Sequence, residues 1–454
     1  MRHFDVLIIG AGQAAFPLTD ALVEAGRTVA IAERKHLGGS CVNFGCTPTK
    51  AALASALLAH DARRAGEFGL HFAGVEVHYT AVLAQARGIR EESREGLQDA
   101  YGGRENPKIL GGHARIRGHH EKGFWVGVGT EDFTAEKVVL DTGSRTYLPE
   151  VPGLDEVECI HAGNWLDRQD LPQRLVVLGG GVIALEMSQF YRRMGADVTV
   201  FEAGPRILSH EDEDVSSALV KQLQQEKIRF ETNAKVEQLD VHADGLRVSW
   251  NGKVEEFDNI FVAAGRTPNT HDVGLDTVGV ELDSKGFVQV NSHLETNVPG
   301  IYAVGDIRGG LQFTHTSWDD FRVMRSTLLG DGSKVTTGRV VPYAVFTDPE
   351  LARVGLSEAE ARQTGKNIKV GRFDMTHNGL ARERRKRAGF VKVVLDGDTN
   401  RVLGAAILAA DAAEMIHLLA TMMVLDADYR IVRDAIVTHP SYMEAVQSAL
   451  EAAR

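Results

Sequence analysis

The sequence has only three cysteines in 454 residues, no excess of positive charge and no long apolar run. So few cysteines exclude a disulfide scaffold and favour a cytoplasmic protein whose thiols matter chemically. Fifty basic residues against 62 acidic ones leave a net charge of −12, which argues against nucleic acid or an anionic membrane as the main partner. No apolar run approaches the roughly 18 residues of a membrane span, and the first residues do not resemble a signal peptide.

The composition is otherwise that of a folded protein. Apolar residues make up 43% of the chain and charged residues 25%, so the chain can bury a sizeable core and disorder is not expected. At roughly 150 residues per domain, the length predicts about three domains.

The chain contains an internal repeat. Residues 4–34 and 174–204 are each an apolar run, a glycine turn, a helical segment and a second β-rich run that ends in an acid. This is the order of a strand–helix–strand unit with a G-x-G-x-x-A turn. The aligned positions are Gly10 with Gly179, Gly12 with Gly181, Ala15 with Ala184 and Glu33 with Glu202.

The physical properties of this turn favour a dinucleotide as the ligand. The first glycine permits the tight turn, the second lets the backbone approach a pyrophosphate, and the small third residue lets helix and strand pack closely. The free N–H groups of the helix then face the phosphates, and the acid at the tip of the second strand can accept hydrogen bonds from a ribose. A glycine turn also occurs for packing reasons alone. Two copies with the acid in register favour two nucleotide-binding units.

Each copy returns to its sheet through an apolar strand that ends in glycine, at Gly143 and at Gly265. The first copy is longer by 47 residues, and this additional length contains predicted helices at residues 47–65 and 79–101. A third apolar strand ends in Gly305-Asp306, where an acid can reach a ligand hydroxyl.

The pattern changes after about residue 335, where short β segments precede helical ones. This order predicts a separate α+β domain at the C-terminus. The predicted strands are at residues 340–346, 389–395 and 402–408, and the predicted helices are at residues 412–425, 429–435 and 441–453.

Two cysteines, Cys41 and Cys46, stand five positions apart at the head of the longer copy. A helix is predicted directly after Cys46, and a helix N-terminus lowers the pKa of a thiol. Two buried cysteines are one interpretation. A zinc half-site is less favoured, because no second cysteine pair exists to complete it. Just after a dinucleotide turn we favour a redox-active disulfide, with no metal site, and we interpret Cys159 as a non-catalytic thiol.

Together these motifs resemble the class I pyridine nucleotide-disulfide oxidoreductases, the flavoprotein family of glutathione reductase, dihydrolipoamide dehydrogenase and mercuric reductase. The resemblance covers nearly the whole chain. It rests on the two glycine turns, the C-V-N-F-G-C motif of residues 41–46, the A-G-R-T-P-N motif of residues 264–269, Gly305-Asp306, and the H-P-S-Y-M-E motif of residues 439–444.

The resemblance implies an α/β fold with two Rossmann-like domains, each with a β-meander, that bind FAD and NAD(P). It also implies a C-terminal α+β dimerisation domain. The implied bounds are residues 1–147 and 269–335 for the two parts of the FAD domain, 148–268 for the NAD(P) domain, and 336–454 for the dimerisation domain.

The resemblance also assigns catalytic roles. Cys46 would lie against the flavin, Cys41 would attack the acceptor, and Lys50 would pair with Glu186 beside the flavin N5. His439, oriented by Glu444, would be the acid/base at the cysteine pair of the partner subunit, so the site would need a homodimer. Taken singly, the lysine, the glutamate and the histidine would be ordinary helix or surface residues.

The predicted cofactor-binding residues fall into two sets. The FAD set is Gly10, Gly12, Ala15, Glu33, Arg34, Gly39, Ser40, Lys50, Ala114, Thr142, Gly143, Arg266 and Asp306, with Asp306 on the ribityl chain. The NAD(P) set is Gly179, Gly181, Ala184 and Glu202. Ala184 favours NADP, whereas Glu202 would repel a 2′-phosphate unless Arg206 neutralises it, so we expect a preference for NADH.

The acceptor is predicted from the branch of the family. Residues 182–186 resemble mercuric reductase, and residues 309–320 resemble mercuric-reductase-like proteins that act on metal ions or oxidants. The chain lacks the C-terminal cysteine pair of mercuric reductase and its N-terminal metal-binding module, so Hg(II) reduction is not expected, because soft Hg(II) needs thiolates. We predict a small disulfide, metal ion or oxidant as acceptor. Dihydrolipoamide dehydrogenase is the alternative enzyme; a redox-sensing flavoprotein and a thiol-based metal-binding protein are the alternatives outside catalysis.

Overall fold

The computed structural model describes residues 1–242 and 245–454, and its first part forms a parallel sheet around the first glycine turn. The elements are β1 (Arg2–Ile9), α1 (Ala15–Glu24), β2 (Val29–Glu33), α2 (Gly39–Asn43), α3 (Cys46–Arg63), α4 (Tyr79–Tyr101), β3 (Lys108–Gly111), β4 (Ala114–His120), β5 (Gly123–Val128), β6 (Glu131–Leu140) and β7 (Ser144–Thr146). Strands β3, β2, β1 and β6 lie side by side and run parallel. Leu7 and Ile8 of β1 are fully buried, as expected of a central strand covered on both faces.

The second part repeats this plan. Its elements are β8 (Ile160–His161), β9 (Arg174–Leu178), α5 (Val182–Met194), β10 (Asp197–Glu202), α6 (Glu213–Gln225), β11 (Arg229–Thr232), β12 (Val236–His242), β13 (Gly245–Trp250), β14 (Lys253–Phe257), β15 (Asn259–Val262) and β16 (Arg266–Pro268). The parallel sheet has the order β11-β10-β9-β15-β8, and β12, β13 and β14 form an antiparallel meander. Strand β16 pairs with β7 of the first part, so the two units are joined by a short two-stranded sheet.

The chain then returns to the first sheet through β17 (Ile301–Ala303), followed by α7 (Thr314–Leu329). Strand β6 serves two kinds of pairing. Its N-terminal part pairs antiparallel with β5 of the first meander, and its C-terminal part pairs parallel with β17. The first nucleotide-binding sheet is therefore built from two separate stretches of the chain, as the resemblance implies. The residue bounds given for the domains stay a prediction.

The C-terminal part is an antiparallel sheet covered by helices. Its elements are β18 (Tyr343–Val345), β19 (Glu350–Gly355), α8 (Glu358–Gln363), β20 (Ile368–Asp374), α9 (Gly379–Glu383), β21 (Phe390–Asp396), β22 (Val402–Ala409), α10 (Ala412–Val424), α11 (Arg430–Arg433) and α12 (Met443–Glu451). The strand order is β18-β19-β22-β21-β20. Leu419 of α10 and Val446 of α12 share one buried cluster with Ile407 of β22.

The predicted fold class is confirmed, and the helices predicted at residues 47–65 and 79–101 form at Cys46–Arg63 and Tyr79–Tyr101. Two strands of the C-terminal sheet, β19 and β20, were not predicted. Strand β19 carries Glu350 and Arg353 among its apolar residues, so its sequence lacks a clear strand pattern. It forms because it pairs with β18 on one edge and with β22 on the other. Among the helices that the structure describes, none is long and apolar enough to cross a membrane.

Candidate active site

A cleft of about 1810 Å³ is lined both by the first glycine turn and by the two cysteines. Ligand pockets commonly measure about 300–1,000 Å³, so this cleft has room for an extended dinucleotide. It also reaches the second unit. The predicted site residues that line it are Gly10, Gly12, Glu33, Arg34, Gly39, Ser40, Cys41, Cys46, Lys50, Ala114, Thr142, Gly143, Gly181, Glu186, Arg266 and Asp306.

The backbone of the first glycine turn makes the close contacts that the G-x-G-x-x-A pattern predicts. Gly10 has a φ of +99°, and a Cβ there would lie 2.3 Å from the carbonyl oxygen of Asp141. A Cβ on Gly39 would lie 2.9 Å from the Cα of Gly12. The Glu33 carboxylate accepts hydrogen bonds from the backbone N–H of Ala11 at 3.0 Å and of Lys35 at 2.8 Å. Its remaining lone pairs suit the hydroxyls of a ribose, so the turn fits the adenosine half of FAD.

A buried carboxyl that the sequence analysis did not select stands beside this turn. Asp141 follows β6 and accepts a hydrogen bond from the backbone N–H of Ala15, the first residue of α1, at 3.1 Å. A Cβ on Gly12 would lie 2.8 Å from both carboxyl oxygens of Asp141. Burial raises the pKa of Asp141 well above its ordinary value, and the charges of Asp320 and Asp306 act in the same direction. The hydrogen bonds from the backbone N–H groups of Ala15 and Gly12 act in the opposite direction.

Asp306 is held in the cleft by a chain of hydrogen bonds. The Ser144 hydroxyl donates to Oδ2 of Asp306 at 2.6 Å, and Nε of Arg266 donates to the Ser144 hydroxyl, also at 2.6 Å. Nearby, the hydroxyl of Thr142 donates to the carbonyl oxygen of Asn269 at 2.9 Å. Two segments far apart in the sequence thus fix the Asp306 carboxylate in the cleft, and its role on the ribityl chain of the flavin stays a prediction.

The two cysteines meet at the start of α3. Cys46 is the first residue of α3, Cys41 lies in α2, and both are free thiols. The sulfur of Cys46 lies 3.2 Å from the hydroxyl oxygen of Thr314, the first residue of α7. The cysteine pair is therefore approached by two helix N-termini, each of which favours negative charge on sulfur.

The two thiols differ in acidity. A hydrogen bond from Cys41 lowers the pKa of Cys46 to about 6, against the effect of burial, with help from Thr314 and from the charge of Lys50. The same hydrogen bond, together with burial, raises the pKa of Cys41. This hydrogen bond therefore favours a thiolate at Cys46 and a protonated thiol at Cys41. A thiolate at Cys46 suits the role against the flavin that the resemblance implies.

Lys50 and Glu186 form an ion pair with 2.7 Å between Nζ and Oε2. Glu186 is only 3% exposed, and its other oxygen accepts a hydrogen bond from the backbone N–H of Phe346 at 3.0 Å. The Lys50 ammonium also lies 4.6 Å from the centroid of the Phe346 ring. The pair joins α3, α5 and the C-terminal part, while its role beside a flavin stays a prediction.

The second glycine turn has the same backbone. Gly179 has a φ of +104°, and Glu202 accepts hydrogen bonds from the backbone N–H of Gly180 at 2.7 Å and of Gly204 at 2.6 Å. Arg206 does not turn towards this acid. Its guanidinium donates to the carbonyl oxygens of Ser209 and Glu211, both at 2.9 Å. Gly179, Ala184 and Glu202 do not line the large cleft.

His439 and Glu444 lie in the C-terminal part, and neither lines the cleft of its own subunit. Nδ1 of His439 is 2.9 Å from Oε1 of Glu444, and the backbone N–H of Ser441 donates to the other carboxylate oxygen at 2.9 Å. The hydrogen bond to Glu444 raises the pKa of His439. The side chain of His439 is 74% exposed. An oriented, exposed histidine outside its own cleft suits the role in a partner subunit that the resemblance implies.

One further group could hold a metal by its residue types, namely His60, Asp61 and Asp348. Both carboxylates are already paired, because Lys386 contacts Asp61 at 2.8 Å and Asp348 at 3.1 Å, and Arg193 contacts Asp348 at 2.8 Å. This group is an ion-pair network between the parts of the molecule.

Three residues of the site were missed by sequence reasoning: Asp141, Thr314 and Phe346. The sequence holds one signal, a charged residue at the end of an otherwise apolar strand, which marks Asp141. Thr314 and Phe346 carry no such signal, because a threonine at a helix start and a phenylalanine after a strand are ordinary.

Comparison with known proteins agrees with this geometry. The family model described as pyridine nucleotide-disulphide oxidoreductase matches residues 4–320, and the model of its dimerisation domain matches residues 341–450. A probable pyridine nucleotide-disulfide oxidoreductase, RclA of Escherichia coli, is 32% identical over 98% of each chain. The dihydrolipoyl dehydrogenase of Cupriavidus necator is 32% identical over 99% of this chain and 97% of its own.

A solved structure is also similar. It is the Cu(II) complex of the HOCl-induced flavoprotein disulfide reductase RclA from Escherichia coli, with a TM-score of 0.91, 30% identity and 99% of each chain covered. The family matches span most of the chain, and the relatives match along nearly its full length. The chain therefore belongs to the pyridine nucleotide-disulfide oxidoreductases, enzymes that use FAD and NAD(P)H to act on sulfur groups, and it carries the dimerisation domain of that family.

Proposed function

We propose that this chain uses NADH to reduce a Cys41–Cys46 disulfide and passes the electrons on to a small disulfide, metal ion or oxidant. The observation that carries this proposal is the asymmetric thiol pair in the cleft. The sulfur of Cys46 lies 3.2 Å from the hydroxyl oxygen of Thr314, and hydrogen bonds from Cys41 and Thr314 lower its pKa. Both cysteines line the cleft that the first glycine turn also lines.

Bound FAD would supply the coupling between a two-electron hydride donor and the disulfide. The residues of the chain then manage charge and protons. Lys50, paired with Glu186, keeps a positive charge near the Cys46 thiolate. Cys41 is held protonated until a base takes its proton, which is the role we infer for His439 of the partner subunit.

The acceptor is proposed from the chemistry of the thiol pair. With a disulfide acceptor, the Cys41 thiolate attacks one sulfur and Cys46 then displaces the second product thiol. With a one-electron metal acceptor, two ions are each reduced once, the Cys41 thiol loses its proton, and the disulfide re-forms from the Cys41 and Cys46 sulfurs. Cu(II) is the first metal to test, because the similar RclA structure is described as its Cu(II) complex. Soft thiolates suit copper in its reduced state.

NADH is the proposed donor because of Glu202. Its carboxylate is fixed by two backbone amides, where it would meet the 2′-position of the nucleotide. A charge pair about 4 Å apart at an effective dielectric constant of about 20 is worth on the order of 4 kcal/mol, so a 2′-phosphate would be repelled. Arg206 is turned towards Ser209 and Glu211, which leaves this repulsion in place.

Dihydrolipoyl dehydrogenase activity is the second candidate. It is favoured by the similarity to the Cupriavidus necator enzyme and by the His439–Glu444 pair, which suits thiol–disulfide exchange. The expectation of a cytoplasmic location rests on cysteine usage and stays a prediction.

A substrate panel with two serine variants tests the proposal. NADH and NADPH are each offered with Cu(II), lipoamide, glutathione disulfide and a quinone. We expect Cys41→Ser to abolish reduction of the physiological acceptor and to leave a long-wavelength absorbance band from the Cys46 thiolate beside oxidised flavin. That band should fade as pH falls and the Cys46 thiolate becomes protonated. Cys159→Ser is the matched control and should behave as the parent. Normal turnover in Cys41→Ser with every acceptor would contradict the proposal.

A further inference from the structure

A short basic segment stands beside His439 in an acidic protein. Residues 382–387 contain five cationic side chains and one carboxylate, whereas the whole chain has a net charge of −12. The segment starts in α9 and continues into the turn that follows it. A cationic concentration of this kind produces a local positive potential against the field of the whole molecule.

The segment is adjacent to His439 in space. A Cβ on Gly379, the first residue of α9, would lie 3.9 Å from Cε1 of His439. Residues three and four positions apart share one face of a helix, so Arg382 and Glu383 lie on the face of α9 that His439 approaches. The charge of Glu383 acts on His439. Arg384 lies over the ring of Tyr442, 5.8 Å from its centroid.

Much of this positive charge is not neutralised. Lys386 is paired with Asp61 and Asp348, and Arg384 lies 3.4 Å from Asp411. Among the residues that the structure describes, no carboxylate lies within 4.0 Å of the guanidinium groups of Arg382, Arg385 and Arg387. All three of these side chains are exposed.

We propose that this basic segment, residues 382–387, forms an anion-selecting rim at the cysteine pair of the partner subunit, so that among the acceptors proposed above an anionic disulfide or oxidant is favoured over a metal cation. The inference rests on the proposed function in one respect, that Cys41 is the thiol that meets the acceptor. His439 would bring the segment to the partner's cleft, because both lie in the dimerisation domain and on one surface. Arg382, three positions after Gly379 on α9, would act as a specificity-determining residue.

Two matched alkylating reagents test the rim without knowledge of the acceptor. Iodoacetate is an anion and iodoacetamide is neutral, and both form a carbon–sulfur bond with a thiolate while iodide leaves. The holoenzyme is reduced with dithiothreitol, and alkylation of Cys41 is followed by mass spectrometry. The ratio of the iodoacetate rate to the iodoacetamide rate is then divided by the same ratio for glutathione. We expect the parent to favour iodoacetate and to lose this preference as salt is raised.

The variants separate charge from structure. Arg382→Gln should lower the ratio about threefold, and Arg382→Gln with Arg387→Gln should lower it further. Arg382→Lys should restore it, which a purely structural role would not require. Arg104→Gln removes an exposed arginine in the segment that follows α4 and should leave the ratio unchanged. A ratio that stays the same in the double variant, or that does not respond to salt in the parent, overturns the inference.

The rim and the proposed function are tested by separate measurements. Reduction of the cysteine pair by NADH is measured separately, as thiols that appear when NADH is added to the oxidised holoenzyme. Failure of that step would contradict the proposed function, and the alkylation ratio would still decide the rim, because dithiothreitol supplies the thiols.

Discussion

The two nucleotide-binding units have the same turn backbone and differ in the charge placed beside it. Gly10 and Gly179 have φ values of +99° and +104°, and a Cβ on either would meet a carbonyl oxygen, that of Asp141 at 2.3 Å or of Ala263 at 2.5 Å. Asp141 and Ala263 therefore occupy equivalent positions. In the first unit the Asp141 carboxyl stands 2.8 Å from a Cβ on Gly12, whereas a Cβ on Gly181 would have no atom within 4 Å.

The glycine pattern therefore predicts the backbone conformation of each turn. It does not predict which charged side chains surround the turn. The turn follows from local glycines and one acid. The field at the helix N-terminus depends on a side chain of another strand, which is an acid in one copy and alanine in the other. Burial and two neighbouring acids raise the pKa of Asp141, whereas the second unit has no carboxyl at the equivalent position.

The largest expected effect comes from alanine at the first glycine of each turn. Positive φ costs an ordinary residue about 1–2 kcal/mol, and overlap with a backbone carbonyl adds about 1–3 kcal/mol. Gly10→Ala should yield protein with little flavin and a lowered melting temperature. Gly179→Ala should keep its flavin but lose rapid reduction by NADH. The measurements are the flavin-to-protein absorbance ratio and anaerobic stopped-flow reduction.

Gly26→Ala is the matched control for these two variants, because Gly26 has a φ of +77° with no atom within 4 Å of its would-be Cβ. Gly26→Ala should lower the stability only by the cost of the positive φ, about 1–2 kcal/mol. If Gly179→Ala loses flavin as completely as Gly10→Ala, the two turns do not serve separate nucleotides.

An intermediate effect is expected from the two acids. Glu33→Ala should weaken FAD binding by about tenfold to a hundredfold, because a charged hydrogen bond contributes about 1.5–3 kcal/mol. Glu202→Ala should leave FAD bound, raise the KM for NADH and narrow the preference for NADH over NADPH. Flavin dissociation and kcat/KM for both nucleotides measure these effects. A parent enzyme that prefers NADPH tenfold, with Glu202→Ala unchanged, would show that Glu202 does not contact the ribose.

The smallest effect concerns the charge that distinguishes the units. Burial raises the folded-state pKa of Asp141 above its unfolded value, so the stability it contributes is greatest at low pH and is lost as pH rises. Asp141→Asn keeps an acceptor for the Ala15 N–H and cannot ionise. We expect the stability of the variant relative to the parent to be higher at pH 8 than at pH 5.

Melting temperatures of the holoenzymes at the two pH values check this expectation. The exposed Asp155 supplies the control, since Asp155→Asn should change little at either pH. Equal destabilisation of Asp141→Asn at pH 5 and pH 8 would mean that the ionised carboxylate is the form the fold requires.

Much of the site could be predicted from sequence, since its parts are local motifs. Spacing in the sequence predicts the two glycine turns, the acid at the end of each second strand, and the cysteine pair around the start of α3. Strand β19 was missed because Glu350 and Arg353 interrupt its apolar pattern, and Arg353 is buried by contacts to His210 and Glu211 of another part. The position of Arg206, four residues after Glu202, did not predict that its guanidinium donates to two backbone carbonyl oxygens.

The sequence by itself determined the two turns, their acids and the cysteine motif, because each depends on residues within about 30 positions that obey known backbone rules. Only the tertiary structure decided what surrounds them. The Ala15–Asp141 hydrogen bond joins residues 126 positions apart, and the Cys46–Thr314 contact joins residues 268 positions apart. Such contacts form when distant strands and helices pack. Burial then raises the pKa of Asp141, whereas hydrogen bonds from Cys41 and Thr314 lower the pKa of Cys46 against the effect of burial. The backbone of the site is therefore a local property, and its charge state is a property of the fold.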